Sequence, residues 1–508
     1  MSDRQGVDRA VVIGAGPNGL AAAIRLAEHG VEVIVLEAAS HPGGAVRTEE
    51  LTLPGFRHDT FSSVYPAAAA SPVFARMPLA THGLEWVHPE VCMAHPLPGG
   101  EAVGLYRSVE LTAASLDRQH RGDGARWAQF VGPYVDAFDA VRATMLSGFP
   151  PLTGPLRLLR DAGPVRLGVF GTLLADTAVR LGRRLFDGDG ARAWLYGAAA
   201  HGDTPIGSSG SALAAFYLNL LGHGAGWPSP RGGAQALTGA LVGYLDSLGG
   251  VVQTDARVER IVSGGGHVRG VGIAGGEELS ASMVLADVMP GALVAMTPGA
   301  LSPWYRRQLS SFRYGPATLK VDWALDGPIP WTAEEPRHAG TVHVGGDESS
   351  TRRSLAESRT GLAQQPFLLL GQQSIADPSR APFGKHTAWA YTHAPARAAH
   401  ELGSAAYVTA VEEQVERFAP GFRERILARH VLGPYELAAR DANLVAGDVG
   451  GGSYSGRQSV FRPVIGLSPY RTPIDGLYLA SAAAFPGGAV HGVPGDAAAR
   501  AALRVARA

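Results

Sequence analysis

The sequence predicts an α/β fold: a doubly wound parallel core that the chain leaves and later rejoins. Three observations predict it. An apolar run, Val11-Val12-Ile13, feeds Gly14-Ala15-Gly16-Pro17-Asn18-Gly19 and then a small-residue helix. A second apolar run, Val31 to Leu36, follows and ends on Glu37. Near the C-terminus the strand-like Leu477-Tyr478-Leu479, the loop around Gly487-Gly488 and a closing helix repeat the order of strand, glycine loop and helix.

The first element carries the most chemistry. A G-x-G-x-x-G between a strand and a helix is a dinucleotide-binding fingerprint. Gly14 permits the tight turn, Gly16 lets a diphosphate approach the backbone, and Gly19 lets the helix pack on the strand. Ala15, Pro17 and Asn18 complete a loop at a helix N-terminus, where free N–H groups and the dipole favour phosphate. Glu37 lies about 20 residues on, where an acid accepts hydrogen bonds from a ribose. The competing reading is a glycine-rich turn that holds nothing.

Composition sets outer limits. The chain has 508 residues, 46% hydrophobic and 18% charged, enough for two domains with substantial cores. A net charge of -1 gives no bulk electrostatic case for nucleic acid. The single cysteine, Cys92, excludes an intrachain disulfide and a C-x-x-C pair, and with them a disulfide reductase. The polar start, Met1 to Arg9, reads directly into the first strand, so no signal peptide is expected. With no long uncharged apolar run, a cytoplasmic protein is expected.

After Glu37, the pair Gly43-Gly44 lets backbone press against a bulky cofactor. Arg47 is placed to pair with a phosphate or to cap a surface loop. Together, Gly14 to Gly19, Glu37, Gly43-Gly44 and Pro54-Gly55-Phe56 resemble the start of the phytoene-desaturase-like FAD-dependent oxidoreductases, within the carotenoid desaturase and flavin amine oxidase superfamily. The resemblance recurs in blocks at 227–290, 317–323, 377–393 and 447–500. It implies a discontinuous FAD-binding Rossmann-like domain of the glutathione-reductase type 2 class, with an inserted α+β substrate domain. The implied boundaries are 1–66, 225–290 and 440–508 for FAD, and 67–224 and 291–439 for substrate. FAD rather than NAD would then occupy the fingerprint. The backbone at Val258 would contact the adenine, and the segment Asp59 to Tyr65 would pass the isoalloxazine. The Gly488-Ala489-Val490 loop and closing helix would face the flavin N1–C2=O edge. Three departures stand out: Ala45 separates the glycine pair from Arg47, Leu285-Ala286-Asp287 lacks the family's asparagine, and Ser481-Ala482-Ala483 replaces a ribityl-binding aspartate. Ribityl contacts would therefore fall to Ser481, backbone or water.

The remaining segments read as follows. Residues 154–186 are helical in pattern, with leucines interspersed among Arg157, Arg160, Arg166, Arg180, Arg183 and Arg184. Such a stretch suits peripheral contact with a membrane surface; helices covering a cavity with solvated arginines are the preferred reading. A helix from Ser211 to Leu221 forms cavity wall or core. A helix from Ala234 to Ser247, strand material from Val251 to Ile261, a hairpin through Gly264-Gly265-Gly266 and a buried strand Met283 to Ala286 return to the core. The stretches Thr318 to Trp323 and Ala388 to His393 alternate as half-buried strands. The second sets Trp389, Tyr391 and His393 on one face, as substrate wall or as ordinary packing. Helices are expected from Tyr407 to Phe418 and again after Gly421.

No second strand-flanked G-x-G-x-x-G exists, so a nicotinamide domain is not expected. Electrons would pass from an apolar small-molecule substrate to flavin N5 and then to oxygen or a quinone. Loss of a hydride and a neighbouring proton leaves a double bond, a desaturation. His491, in the loop expected to border the flavin, is the first candidate acid–base residue, and Asp59 the second. His58, His201, His223, Tyr217, His386 and His393 are further candidates, each more simply read as structural. No metal-ligand cluster is recognisable. A carotenoid ketolase or isomerase, an amine oxidase, and a non-catalytic binding protein like the Rab GDP-dissociation inhibitors remain as alternatives. The sequence does not fix the oligomeric state.

Overall fold

The computed structural model describes residues 9–506. One sheet is five-stranded and parallel, ordered Leu477–Leu479, Met283–Ala286, Arg9–Ile13, Glu32–Leu36 and Val251–Gln253. A parallel sheet is covered on both faces, so its strands are near-continuous apolar runs. Ala10 and Val12 pack toward the helices Pro17–Ala27, Gln235–Ser247 and Val493–Ala506. Val11 and Ile13 pack toward the antiparallel sheet Val258–Gly264, His267–Ile273 and Glu278–Ser280. The strand material expected over 251–261 is thus divided between two sheets, with a turn at Asp255 (φ 55°).

The second large sheet has seven strands, ordered Ile426–Leu432, Ala317–Leu325, His386–Ala394, Leu368–Gly371, Ala339–Val344, Val91–Pro96 and Ala102–Leu105. Helices between residues 109 and 224 pack on its Val91–Leu105 end. The helix Ala405–Glu416 covers another part. Two sequence expectations change here. Ala317–Leu325 is not half-buried but buried throughout, because it is an interior strand covered on both faces. The stretch after Gly421 makes only a 3-10 turn, Arg423–Arg425, and then a strand in place of the expected helix. Ile426–Leu432 pairs with Ala317–Leu325, with partial alternation in its exposure, so edge pairing overrides the local helical reading. The helical region predicted at 154–186 forms Thr153–Thr172, broken at Gly163 (φ 83°), and Ala178–Leu185.

The fingerprint helix and the closing helix meet backbone to backbone. A Cβ on Gly495 would stand 1.8 Å from the Asn18 carbonyl oxygen, and one on Gly19 would stand 2.0 Å from that of Gly14. Only glycine fits at either place. Gly239, also helical, has nothing within 4 Å of such a Cβ. Gly495→Ala is therefore expected to lower unfolding stability by about 1–3 kcal/mol or more. Gly239→Ala should leave it unchanged or raise it by up to about 1 kcal/mol. Urea unfolding of the two variants checks the contrast.

Candidate active site

A cavity of about 1420 Å³ runs from the C-terminal ends of the parallel strands to the seven-stranded sheet. Ligands of open α/β sheets bind outside those strand ends. Gly14, Gly16, Pro17, Asn18, Glu37, Gly44, Arg47, Val258, Ser481, Gly488 and Val490 line the cavity. Ala15, Gly19 and Gly43 stand one layer behind, where their N–H groups bond to Glu37, Asp287 and the Ala15 carbonyl. The cradle is tight: a Cβ on Gly44 would meet Gly16 Cα at 3.3 Å.

Each polar group at this end has a fixed position. Glu37 accepts from Ala15 N through Oε2 (2.8 Å) and from Ala39 N through Oε1 (2.9 Å), and each oxygen retains acceptor capacity for a ribose hydroxyl. Asp287 Oδ2 accepts from Gly19 N at 2.9 Å. Burial pushes its carboxyl up to about 8; the Gly19 bond opposes this, and the nearby Asp441 and Glu37 reinforce it. Asn443 ties the same turn, donating to the Asp287 carbonyl (3.0 Å) and accepting from Met289 N (3.1 Å). Arg47 is 6% exposed, with its guanidinium over Phe61 and Nη1 against His41 Nε2 at 2.6 Å. Its buried Nε has no protein partner. Arg47, with a guanidinium N–H unpartnered, lines the same cavity as the fingerprint helix N-terminus and the glycine cradle, a donor set suited to a diphosphate, so the residues present fit FAD.

The far end of the cavity is mostly apolar, walled by Leu146, Leu167, Phe170, Leu213 and Leu218. Trp389 and Tyr391 stack at 5.7 Å with their planes 2° apart, and His393 continues the row at 5.1 Å. His393 Nδ1 lies 3.1 Å from Thr318 Oγ1, and burial pushes the ring down to about 4. His201 Nε2 meets His343 Nε2 at 2.8 Å. Burial pushes His201 down to about 3 and His343 well below the ordinary range, so both rings are neutral near pH 7. Lys320 places an ammonium on this wall, ion-paired to the buried Asp322 and facing the Trp389 ring. Asp203 also lines the wall, but its oxygens accept from Tyr454 N and Ser453 Oγ.

The two candidate acid–base residues are already engaged. His491 Nδ1 accepts from Val493 N (3.2 Å) and Nε2 lies 3.1 Å from the Gly488 carbonyl, so the ring clamps the loop that leads into the closing helix. Burial pushes it down to about 4. Asp59 does not line the cavity. Its Oδ1 accepts from Thr48 Oγ1 (2.7 Å), Ala234 N (2.8 Å) and Arg380 (3.0 Å), which joins three segments. His58 packs near Asp322, His223 bonds Trp127, and His386 bonds Ser374, all off the cavity. Tyr217, His201 and His393 do reach it. Sequence reasoning passed over Lys320 and Asp287. Lys320 did carry a signal: it is one of only two lysines, set mid-strand. Asp287 carried one too, as an acid ending a strand that returns to the fingerprint.

The profile of the flavin-containing amine oxidoreductases matches residues 18–508. The chain belongs to this family. As a flavin-containing amine oxidoreductase it is an FAD-dependent enzyme. It is 28% identical to a rat pyridine nucleotide-disulfide oxidoreductase domain-containing protein 2, over 97% of this chain and 93% of that one. It is 27% identical to the phytoene dehydrogenase of Streptomyces griseus, over 85% of this chain and 83% of that one. The cyclohexylamine oxidase of Brevibacterium oxydans shares the fold with a TM-score of 0.62 at 17% identity, covering 99% of this chain and all (100%) of that one.

Arg47→Met should weaken FAD binding by about 1.5–3 kcal/mol, roughly ten- to a hundredfold, since a charge-assisted bond to phosphate is lost. Flavin fluorescence quenching measures the change. An unchanged dissociation constant would remove Arg47 from the diphosphate site.

Proposed function

We propose that this flavin-containing amine oxidoreductase dehydrogenates an apolar or partly apolar small molecule, forming a double bond. The observation that carries the reading is the substrate end of the cavity: aliphatic and aromatic walls, with its lining acids, Asp203 and Asp448, both engaged by protein donors. An apolar chain can be desolvated there without an unpaired partner, whereas a charged ammonium would find no free anion. The phytoene dehydrogenase relative is consistent with this reading. The fold shared with an amine oxidase keeps a second reading in view, oxidation of a neutral amine between aromatic faces.

In this reading residues 1–66, 225–290 and 440–508 hold FAD, and residues 67–224 and 291–439 hold substrate. When bound, FAD supplies the hydride-accepting ring. Arg47 and the fingerprint helix N-terminus hold the diphosphate, Glu37 holds the ribose, and the backbone at Val258 borders the adenine. Ser481 and the Gly488–Val490 loop border the flavin. The His491 clamp sets the closing helix so that its N-terminus faces growing negative charge. The aromatic row and leucine wall orient the substrate and exclude water. Lys320, fixed by Asp322, holds donors at the wall, and the paired, neutral His201 and His343 add no charge to it. Oxygen or a quinone takes the electrons onward.

Anaerobic mixing of the FAD-loaded enzyme with a polyene or monoterpene in detergent, and separately with cyclohexylamine or putrescine, tests the reading. Bleaching of the flavin by the hydrocarbon class is expected. Bleaching by amines alone would overturn it. Lys320→Met should slow that bleaching at least about tenfold, the scale of one lost charge-assisted contact in the transition state.

A further inference from the structure

Large apolar side chains scattered singly over a surface are ordinary. Here they gather. Leu152, Leu156 and Val165 on the Thr153–Thr172 helix and its approach are 64%, 65% and 74% exposed, and Leu467 is 82% exposed. The two segments are neighbours: the Phe149 and Phe461 rings lie 6.0 Å apart, and Phe149 N donates to Tyr470 Oη at 2.9 Å. Leu174 and Val460, one from each side, are exposed and also line the cavity. The cavity therefore opens within the apolar patch.

The unpaired charge on these two segments has one sign. Arg157, Arg166 and Arg471 form no ion pair among the described residues, whereas Asp161 is paired to Arg160. Residues 450–474 contain no acidic residue and two exposed arginines, Arg457 and Arg471, the third, Arg462, being buried. Exposed leucines ringed by free guanidinium groups match a bilayer surface bearing anionic headgroups, where apolar side chains enter the acyl boundary and arginines meet phosphate. A contiguous exposed apolar patch on a soluble fold marks an interaction site. No helix among the described residues is long and apolar enough to cross a membrane, so the contact is with the surface.

We infer that the Leu152–Leu174 segment and the Val460–Leu467 loop dock on an anionic lipid surface, so that the cavity mouth opens onto the bilayer. An apolar substrate then passes from lipid to cavity without crossing water. The substrate part of this inference rests on the dehydrogenation reading; the docking itself does not.

The experiment is co-sedimentation of the FAD-loaded full chain with phosphatidylcholine vesicles, with and without phosphatidylglycerol. Wild type should sediment with the anionic vesicles and be released in part by salt. Leu152→Ser/Leu156→Ser/Leu467→Ser should cut the bound fraction at least about tenfold, because buried apolar area sets interfacial affinity, with flavin content and melting temperature unchanged. None of the three residues lines the cavity. Failure of wild type to sediment, or sedimentation of the triple variant like wild type, would overturn the inference. So would light scattering that shows a wild-type dimer broken by the same variant, since a second copy would then cover the patch. Vesicle binding together with bleaching by amines alone would support the docking surface and overturn the dehydrogenation reading.

Discussion

The nucleotide half depends on how closely backbones meet at the end of the parallel sheet. Gly14, Gly16 and Gly19 are held against Asp287, Gly16 lies against Gly44, and Gly495 crosses Asn18, at separations where a methyl group would clash or crowd. This closeness buries the Gly19 N–H, and a buried donor without an acceptor is costly. The Asp287 carboxyl oxygen Oδ2 answers that need from 268 residues away along the chain. Strands from the beginning, middle and end of the sequence are thereby brought to one point, and the cavity opens there.

The two ends of that cavity differ in electrostatic character. At the cradle, the half-buried Glu37 and the buried Asp287 are pinned by backbone N–H groups, and Arg47 keeps an N–H without a protein partner. That leaves oriented donors for an anion and acceptors for sugar hydroxyls. At the far end, polar groups are paired to one another: Lys320 with Asp322, His201 with His343, and Asp203 with the Tyr454 backbone. Internal pairing leaves an apolar lining for substrate.

What the sequence revealed followed the range of the interactions. The fingerprint, Glu37 and the glycine pair were legible because each demands a particular residue type within a short stretch. The parallel strands were legible because burial on both faces makes them continuously apolar. The strand Ile426–Leu432 was not, because edge pairing with a distant strand decides it. The engagement of Asp59, off the cavity, and of His491, on its lining, was not legible for a related reason. Proximity along the chain to flavin-facing loops was visible, but the partners that engage their polar atoms, Arg380 and Ala234 for Asp59 and the Gly488–Val493 turn for His491, appear only in the fold. Lys320 was hidden because an alternating strand reads as half exposed until its second face is seen to be covered.

The central claim is that three separated segments close around a single FAD. Titration of the apoprotein with FAD, followed by the visible spectrum and by the protein-to-flavin ratio after gel filtration, tests it most directly. The account predicts saturation at one FAD per chain and retention of the yellow complex. A chain that stays colourless with excess FAD, or that takes up NADPH in its place, would contradict it.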